Sequence, residues 1–207
     1  AGREPGTGYD QLEVTNAFGL AGTLTVTRTT GFLPQTNDEF LLVAWIGHTS
    51  SGFEATNLPP WFDWQVYNSA AKTGLVLKVL GLQTATNNVP KAWLADYGWT
   101  NNFDAAATND ADGDSMATWE EYFAGTDPTN KLSFFQCLEI SRVSFPMIGK
   151  VLRWGAVSGR VYAIEASTNL AGPAWVELTN SLPAPVNSWT DTLSNAGGQY
   201  RIRVGTQ

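Results

Sequence analysis

The sequence predicts a mainly β protein with a short helical segment in its middle. Lys and Glu are few, while Thr, Gly, Val and aromatic residues are many, a composition that favours strands and turns over helices. Short runs of alternating apolar and polar residues, separated by Gly, Pro and Asn, recur at both ends of the chain. The middle differs, because its apolar residues lie at three- and four-residue spacings.

The first segment, residues 1–86, is predicted to be a β-rich domain that resembles a solenoid or a sandwich. TLTVT (23–27) alternates between polar and apolar residues, as a half-buried strand does. FLLVAWI (40–46) is a continuous apolar run, which suits a strand buried on both faces. Further strands are expected at 11–14, 64–67 and 75–80.

The second segment, residues 87–131, is predicted to be a helix-loop-helix linker. Pro90 suits the first turn of one helix, which ends before Gly98. A second helix is expected over about residues 117–124, ending at Gly125.

The third segment, residues 132–207, is predicted to be an antiparallel β-sandwich of immunoglobulin or fibronectin type. Five to seven short strands fit into its length. Residues 189–204 are expected to form its closing hairpin.

Charge and composition exclude several classes of function. The chain has 12 Lys and Arg against 19 Asp and Glu, so it lacks the basic excess that nucleic-acid binding requires. It also lacks an apolar run of about 18 residues that would predict a membrane span. With one His (His48) and one Cys (Cys137), a zinc site built from several such residues is excluded, and we expect no enzyme. A carboxylate pair for glycoside hydrolysis stays open among Asp38, Glu39, Glu54 and Asp63, for which solvated turns are the simpler interpretation.

Residues 110–121, DADGDSMATWEE, match the twelve-position loop of EF-hand calcium sites. No basic residue occurs between Lys91 and Lys131 to neutralise its acidic side chains, and the alternative is a solvated acidic loop that binds no ion. Ser115 stands at the sixth position, where glycine is usual, so a non-glycine residue must hold a left-handed backbone. We therefore predict Ca²⁺ as a cofactor, with ligands from the side chains of Asp110, Asp112, Asp114, Thr118 and Glu121 and from the Met116 carbonyl.

The same stretch, read to residue 130 as DADGDSMATWEEYFAGTDPTN, resembles a calcium module of secreted bacterial proteins related to dockerin and thrombospondin type 3 repeats. That family has the pattern D-x-D-G-D-G-x-x-N-x-x-E-x-x-x-G-T-D-P. The resemblance implies that the turn at residues 125–128 packs back on the loop, and that Asp127 supports the metal site.

The flanking segments resemble parts of large exported proteins. Residues 9–43 resemble the last rungs of autotransporter-like β-solenoids. WGAVSGRVYAIEASTNL (154–170), with the later QYRIRV, resembles C-terminal sandwich modules of planctomycete and verrucomicrobial proteins. These resemblances imply the C-terminal end of a long secreted or surface protein, located outside the cell.

Three functions follow as hypotheses. The first is a non-catalytic structural module in which calcium rigidifies the junction between two β domains. The second is a subunit of an extracellular fibre or surface layer, which would pair with neighbouring copies through strand edges. The third is a carbohydrate-binding accessory module that would stack a polysaccharide on Trp61 and Trp64, for which core packing is the alternative.

Overall fold

The computed structural model describes residues 2–16, 18–46, 52–143, 149–169, 171–172, 174–192 and 198–206. Strands hold 41% of the residues and helices 12%, which confirms the predicted mainly β fold. The chain divides into two compact units, residues 1–107 and 108–207. The three-part division at residues 86/87 and 131/132 stays a prediction, and His48 lies outside the described residues. No helix in the described ranges is long and apolar enough to cross a membrane.

Unit 1 is built from short strands, with the helices at its C-terminal end. The helix that follows Pro90 was predicted. The Ala-rich helix after it, Phe103–Thr108, was not predicted. Its elements are β1 (Leu12–Val14), β2 (Thr23–Thr25), β3 (Glu39–Trp45), β4 (Ala55–Asn57), β5 (Phe62–Ser69), β6 (Gly74–Leu82), a 3₁₀ turn (Thr86–Asn88), α1 (Lys91–Asp96) and α2 (Phe103–Thr108), which reaches the unit boundary.

The first four strands of unit 1 wind as a coil. β1 pairs in parallel with β3, so that Leu12 lies beside Val43, 31 residues further along the chain. β2 pairs in parallel with β4, with Thr23 beside Ala55, 32 residues further along. β3 then pairs antiparallel with β6, and β6 with β5, giving a sheet of order β1-β3-β6-β5. The coil formed by β1 to β4 is thus bordered on one side by the antiparallel hairpin of β5 and β6.

Unit 2 contains one helix and a two-layered β structure. One sheet has the strand order β11-β8-β7 and the other β10-β9-β12. Leu152 and Trp154 from the first sheet pack against Tyr162 and Ile164 from the second, so the two sheets enclose a common core. Its elements are α3 (Thr118–Ala124), β7 (Cys137–Val143), β8 (Gly149–Trp154), β9 (Arg160–Ser167), β10 (Val176–Pro183), β11 (Ser188–Asp191) and β12 (Gln199–Thr206).

The predicted closing hairpin at residues 189–204 is wrong. β11 pairs with β8, whereas β12 pairs with β9 in the other sheet. The chain therefore crosses between the two layers instead of turning back on itself. The Tyr200 hydroxyl on β12 donates a hydrogen bond of 2.7 Å to the carboxylate of Asp191, at the end of β11, and so connects the two layers.

This hydrogen bond predicts a stability effect. Asp191 is buried, and burial together with the bond to Asp191 raises the pKa of Tyr200 to about 12, so the hydroxyl remains a donor at ordinary pH. Tyr200→Phe removes a donor from a buried carboxylate and should lower the free energy of unfolding by about 1–3 kcal/mol. Urea unfolding measures this change.

Tyr67→Phe is the matched control, because the Tyr67 hydroxyl donates to Glu39, whose side chain is partly exposed. Water can replace that donor, so the control should cost less. Equal losses in the two variants would contradict the role of Tyr200.

Candidate metal centre

The acidic loop lies between α2 and α3. Hydrogen bonds from Thr118 to Asn109 hold its two ends together. The Thr118 amide and hydroxyl both donate to the Asn109 carbonyl, at 2.9 and 3.0 Å. Thr118 is fully buried, so this closure is shielded from water. The chain enters and leaves the loop at one point, and residues 110–117 form the loop itself.

Three aspartates converge inside this loop. One carboxylate oxygen each from Asp110, Asp112 and Asp114 lies within 4.8 Å of the others. The loop backbone turns inward to meet them, since the amides of Gly113 and Ser115 donate to the two oxygens of Asp110 at 2.8 and 2.9 Å. These bonds hold the pKa of Asp110 below its usual value. The arrangement is fixed by the backbone and not by side-chain partners.

The tight turn uses left-handed backbone at two residues. Gly113 has φ 81° and Ser115 has φ 80°. Serine rarely adopts this conformation, because its Cβ crowds the backbone. The bond from the Ser115 amide to Asp110 helps to hold the left-handed backbone that the sequence predicts at this position.

Glu121 lies on the first turn of α3, close enough to Asp112 and Asp114 to feel their charges, but it is not one of the three carboxylates that lie within 4.8 Å of one another. Its side chain is fully buried. The Thr126 hydroxyl donates to Oε1 at 3.3 Å, while Oε2 is buried and has no hydrogen-bond donor among the described residues. Burial, followed by the charges of Asp112 and Asp114, raises the pKa of Glu121 to about 8. A carboxylate in this position needs a positive charge beside it to remain ionised at neutral pH.

The oxygens of the cluster are incompletely paired. Asp112 Oδ2 and Asp114 Oδ2 are also buried without a hydrogen-bond donor in the described part of the chain. No ion pair described in this structure involves Asp110, Asp112, Asp114 or Glu121. Buried, unpaired carboxylate oxygens are costly in a folded protein, and a hard divalent cation is a partner that such oxygens accept. The residues present therefore fit calcium.

The neighbouring Glu120 has a different role. Its Oε2 accepts a 2.8 Å hydrogen bond from the Ala117 amide and so satisfies a free donor at the start of α3. Of two adjacent glutamates, one thus caps the helix and the other is buried near the aspartates. The twelve-position spacing distinguishes them, whereas residue type alone does not.

Two further predicted residues have contacts of their own. The Met116 sulfur accepts a hydrogen bond from the Phe135 amide at 3.3 Å, and the Met116 carbonyl as a ligand stays a prediction. Asp127 accepts from the amide and hydroxyl of Thr129, at 3.0 and 2.7 Å, and so shapes the turn after α3. Its charge also contributes to the raised pKa of Glu121, which places it close enough to act on the site electrostatically.

Trp61 and Trp64 lie in unit 1 and are half-buried. The Trp61 ring packs edge-on against Phe103 at 4.8 Å between centroids. Trp64 donates from Nε1 to the Pro59 carbonyl at 2.8 Å and packs beside Phe62. Both rings contribute to the hydrophobic core of this unit. Their use as a carbohydrate surface stays a prediction.

Two of the four carboxylates considered for hydrolysis in unit 1, Glu39 and Asp38, have structural partners. Glu39 pairs with Lys72 and Lys78 and accepts from the Tyr67 hydroxyl. The bond to Lys72 is the largest of the causes that lower the pKa of Glu39 to about 2. Asp38 pairs with Arg3. These contacts account for both residues without a catalytic role.

Comparison with protein-family models, with curated proteins and with solved structures finds no match to this chain. The resemblance to bacterial calcium modules therefore stays a prediction. The case for a metal centre depends on the geometry of residues 109–127 alone.

The raised pKa of Glu121 predicts a pH dependence in calcium-free buffer. Between its ordinary value of 4.5 and its value of about 8 in the folded protein, the folded state binds more protons than the unfolded state. The free energy of unfolding should therefore fall as pH rises from 5 to 8, and Glu121→Gln should reduce this fall. Urea unfolding at several pH values measures the slope.

Glu120→Gln is the control, since it removes a neighbouring carboxylate and leaves Glu121 in place. It should keep the slope of the wild-type protein. Equal slopes in wild type and Glu121→Gln would contradict the buried, protonated state of Glu121.

Proposed function

We propose that this chain is a non-catalytic, calcium-binding structural module of an extracellular protein. The observation that carries the proposal is the Glu121 carboxylate, which is fully buried and has one oxygen without a donor among the described residues, in a loop where Asp112 and Asp114 each present another such oxygen. An acidic cluster that only needed solvation would expose these oxygens to water. Their burial favours an ion as their common partner.

Calcium would act by binding side chains from both the acidic loop and α3. Asp110, Asp112 and Asp114 belong to the loop, whereas Glu121 belongs to α3. An ion held by both would offset the repulsion among four carboxylates and fix the loop against the helix. The function of the bound ion is then mechanical, and the predicted stiffening of the interdomain junction remains part of this hypothesis.

An extracellular location agrees with this use of calcium. Calcium loops of extracellular modules commonly bind with dissociation constants of about 10⁻⁴–10⁻³ M, which suits environments rich in calcium. The serine at the sixth loop position, held at φ 80°, is expected to place the affinity in this weak range. The site would thus remain filled outside the cell and would be poorly filled in the cytoplasm.

Thermal unfolding with and without calcium tests the proposal. At 5 mM calcium, such dissociation constants correspond to about 1–2 kcal/mol of added stability. For a unit of about 100 residues, each kcal/mol of added stability should raise the melting temperature by about 4–8 °C. The double variant Asp112→Asn plus Glu121→Gln should lose the shift.

The double variant Asp10→Asn plus Glu13→Gln is the matched control, because it makes the same change in charge at exposed residues of unit 1. It should keep the calcium shift. A wild-type protein whose melting temperature is the same in calcium and in chelator would overturn the proposal.

A second candidate function is self-assembly through an open strand edge. β7 is an outer strand of its sheet among the strands that the structure describes. Ile140 on β7 lies opposite Leu152, which is fully buried in the core, yet 55% of Ile140 is exposed, and Leu138 is 59% exposed. Apolar residues on the core side of an edge strand favour pairing with a strand from another copy.

Sedimentation over a range of concentrations tests this second function. The wild-type protein should associate as concentration rises, and Ile140→Lys should reduce the association. Leu80→Lys is the control, since Leu80 is also half-exposed but lies on the inner strand β6. A wild type that remains monomeric throughout would exclude assembly through β7.

A further inference from the structure

The C-terminal end of α3 is held by an arginine from the sandwich. Arg160 is the first residue of β9, and its Nη2 donates a 2.7 Å hydrogen bond to the carbonyl of Tyr122. The last carbonyls of a helix lack partners within the helix and carry the negative end of its dipole. A guanidinium is well suited to this position, because it supplies both donors and positive charge.

The backbone amides after the helix bond to the residue that precedes Tyr122. The amides of Gly125 and Thr126 both donate to the Glu121 carbonyl, at 2.7 and 3.1 Å. The backbone of Glu121 is therefore fixed by the end of the helix, while its side chain lies in the metal centre. Arg160 bonds to the residue immediately after it.

Gly125 allows Arg160 to come this close. Gly125 has φ 78°, and a Cβ at this position would lie 2.8 Å from Val157 Cγ1 and 3.1 Å from Arg160 Nε. A larger residue would push the arginine away from the helix. Arg160 Nε is itself buried and has no acceptor among the described residues, while Nη2 is bonded to the Tyr122 carbonyl.

The other side of the calcium loop is connected to the same strand. The Phe135 amide donates to the sulfur of Met116, at the seventh loop position. The Phe135 ring stacks on Tyr162 of β9, with 5.9 Å between centroids and 15° between planes. The seventh loop position and the C-terminal part of α3 are thus both connected to β9, one through Phe135 and Tyr162 and the other through Arg160.

We propose that Arg160 is a positioning residue for the calcium site, which holds α3 so that Glu121 meets the three aspartates. It touches no metal ligand atom and acts through the backbone of Tyr122. By linkage, calcium should in turn stabilise the attachment of α3 to β9. This inference rests on the proposed calcium function.

Calcium titration by calorimetry of Arg160→Met and Arg160→Lys tests the inference. Methionine keeps much of the side-chain bulk and removes every donor, so it should weaken calcium binding about tenfold. Lysine keeps the charge and one donor, and it should recover part of the affinity. If the methionine variant fails to fold, the lysine variant still tests the inference. Arg153→Met is the matched control, because Arg153 is an exposed arginine on β8 paired with Glu139, and its loss should leave the affinity unchanged.

A double-mutant comparison separates positioning from a general loss of stability. If Arg160 acts through Glu121, Arg160→Met should weaken calcium binding much less in a Glu121→Gln background than in the wild type. Unchanged calcium affinity in Arg160→Met, or an equal loss in both backgrounds, would overturn the inference and leave the calcium function standing. Absence of calcium binding by the wild type would overturn both.

Discussion

The burial of a carboxylate among other carboxylates is the constraint on which the centre in unit 2 depends. Glu121 is fully buried, and burial together with the charges of Asp112 and Asp114 raises its pKa to about 8, so a nearby cation would favour its ionised form at neutral pH. Reaching water would require a movement of the first turn of α3. Every nearby contact limits such a movement: Thr118 closes the loop, Gly125 ends the helix and Arg160 holds the last turn. The charge of Glu121 is therefore expected to be neutralised by a proton or a cation, and not relieved by a movement of the backbone.

The two ends of the loop are anchored differently. Two backbone amides of the loop itself, from Gly113 and Ser115, hold the carboxylate of Asp110. Glu121 depends instead on a helix of seven residues, which is too short to be stable by itself and must be supported by packing. The sandwich supplies that support from β9. The proposed calcium site would therefore depend on the sandwich as well as on its own twelve residues.

Local patterns in the sequence predicted much of this structure. Alternating and continuous apolar runs located strands of unit 1, Pro90 and Gly125 marked a helix start and a helix end, and the spacing from Asp110 to Glu121 identified acidic side chains that lie together or are buried. Partners distant in the sequence were not predictable in the same way. Nothing near Arg160 indicates that it bonds to Tyr122, and the exchange of sheets between β11 and β12 depends on long-range pairing. The short α2 was missed because six residues are too few to show a helical period, although its three alanines favour a helix.

The coil in unit 1 has a consequence for how such a chain can change in length. Because β1 stacks on β3 and β2 on β4 with nearly equal offsets of 31 and 32 residues, a whole coil is the natural unit of insertion or deletion. Adding about that many residues between β2 and β3 would preserve which side chains face inward, whereas adding a single residue within a strand would turn its later side chains outward. The domain is therefore tolerant of large, periodic changes in length and sensitive to small ones.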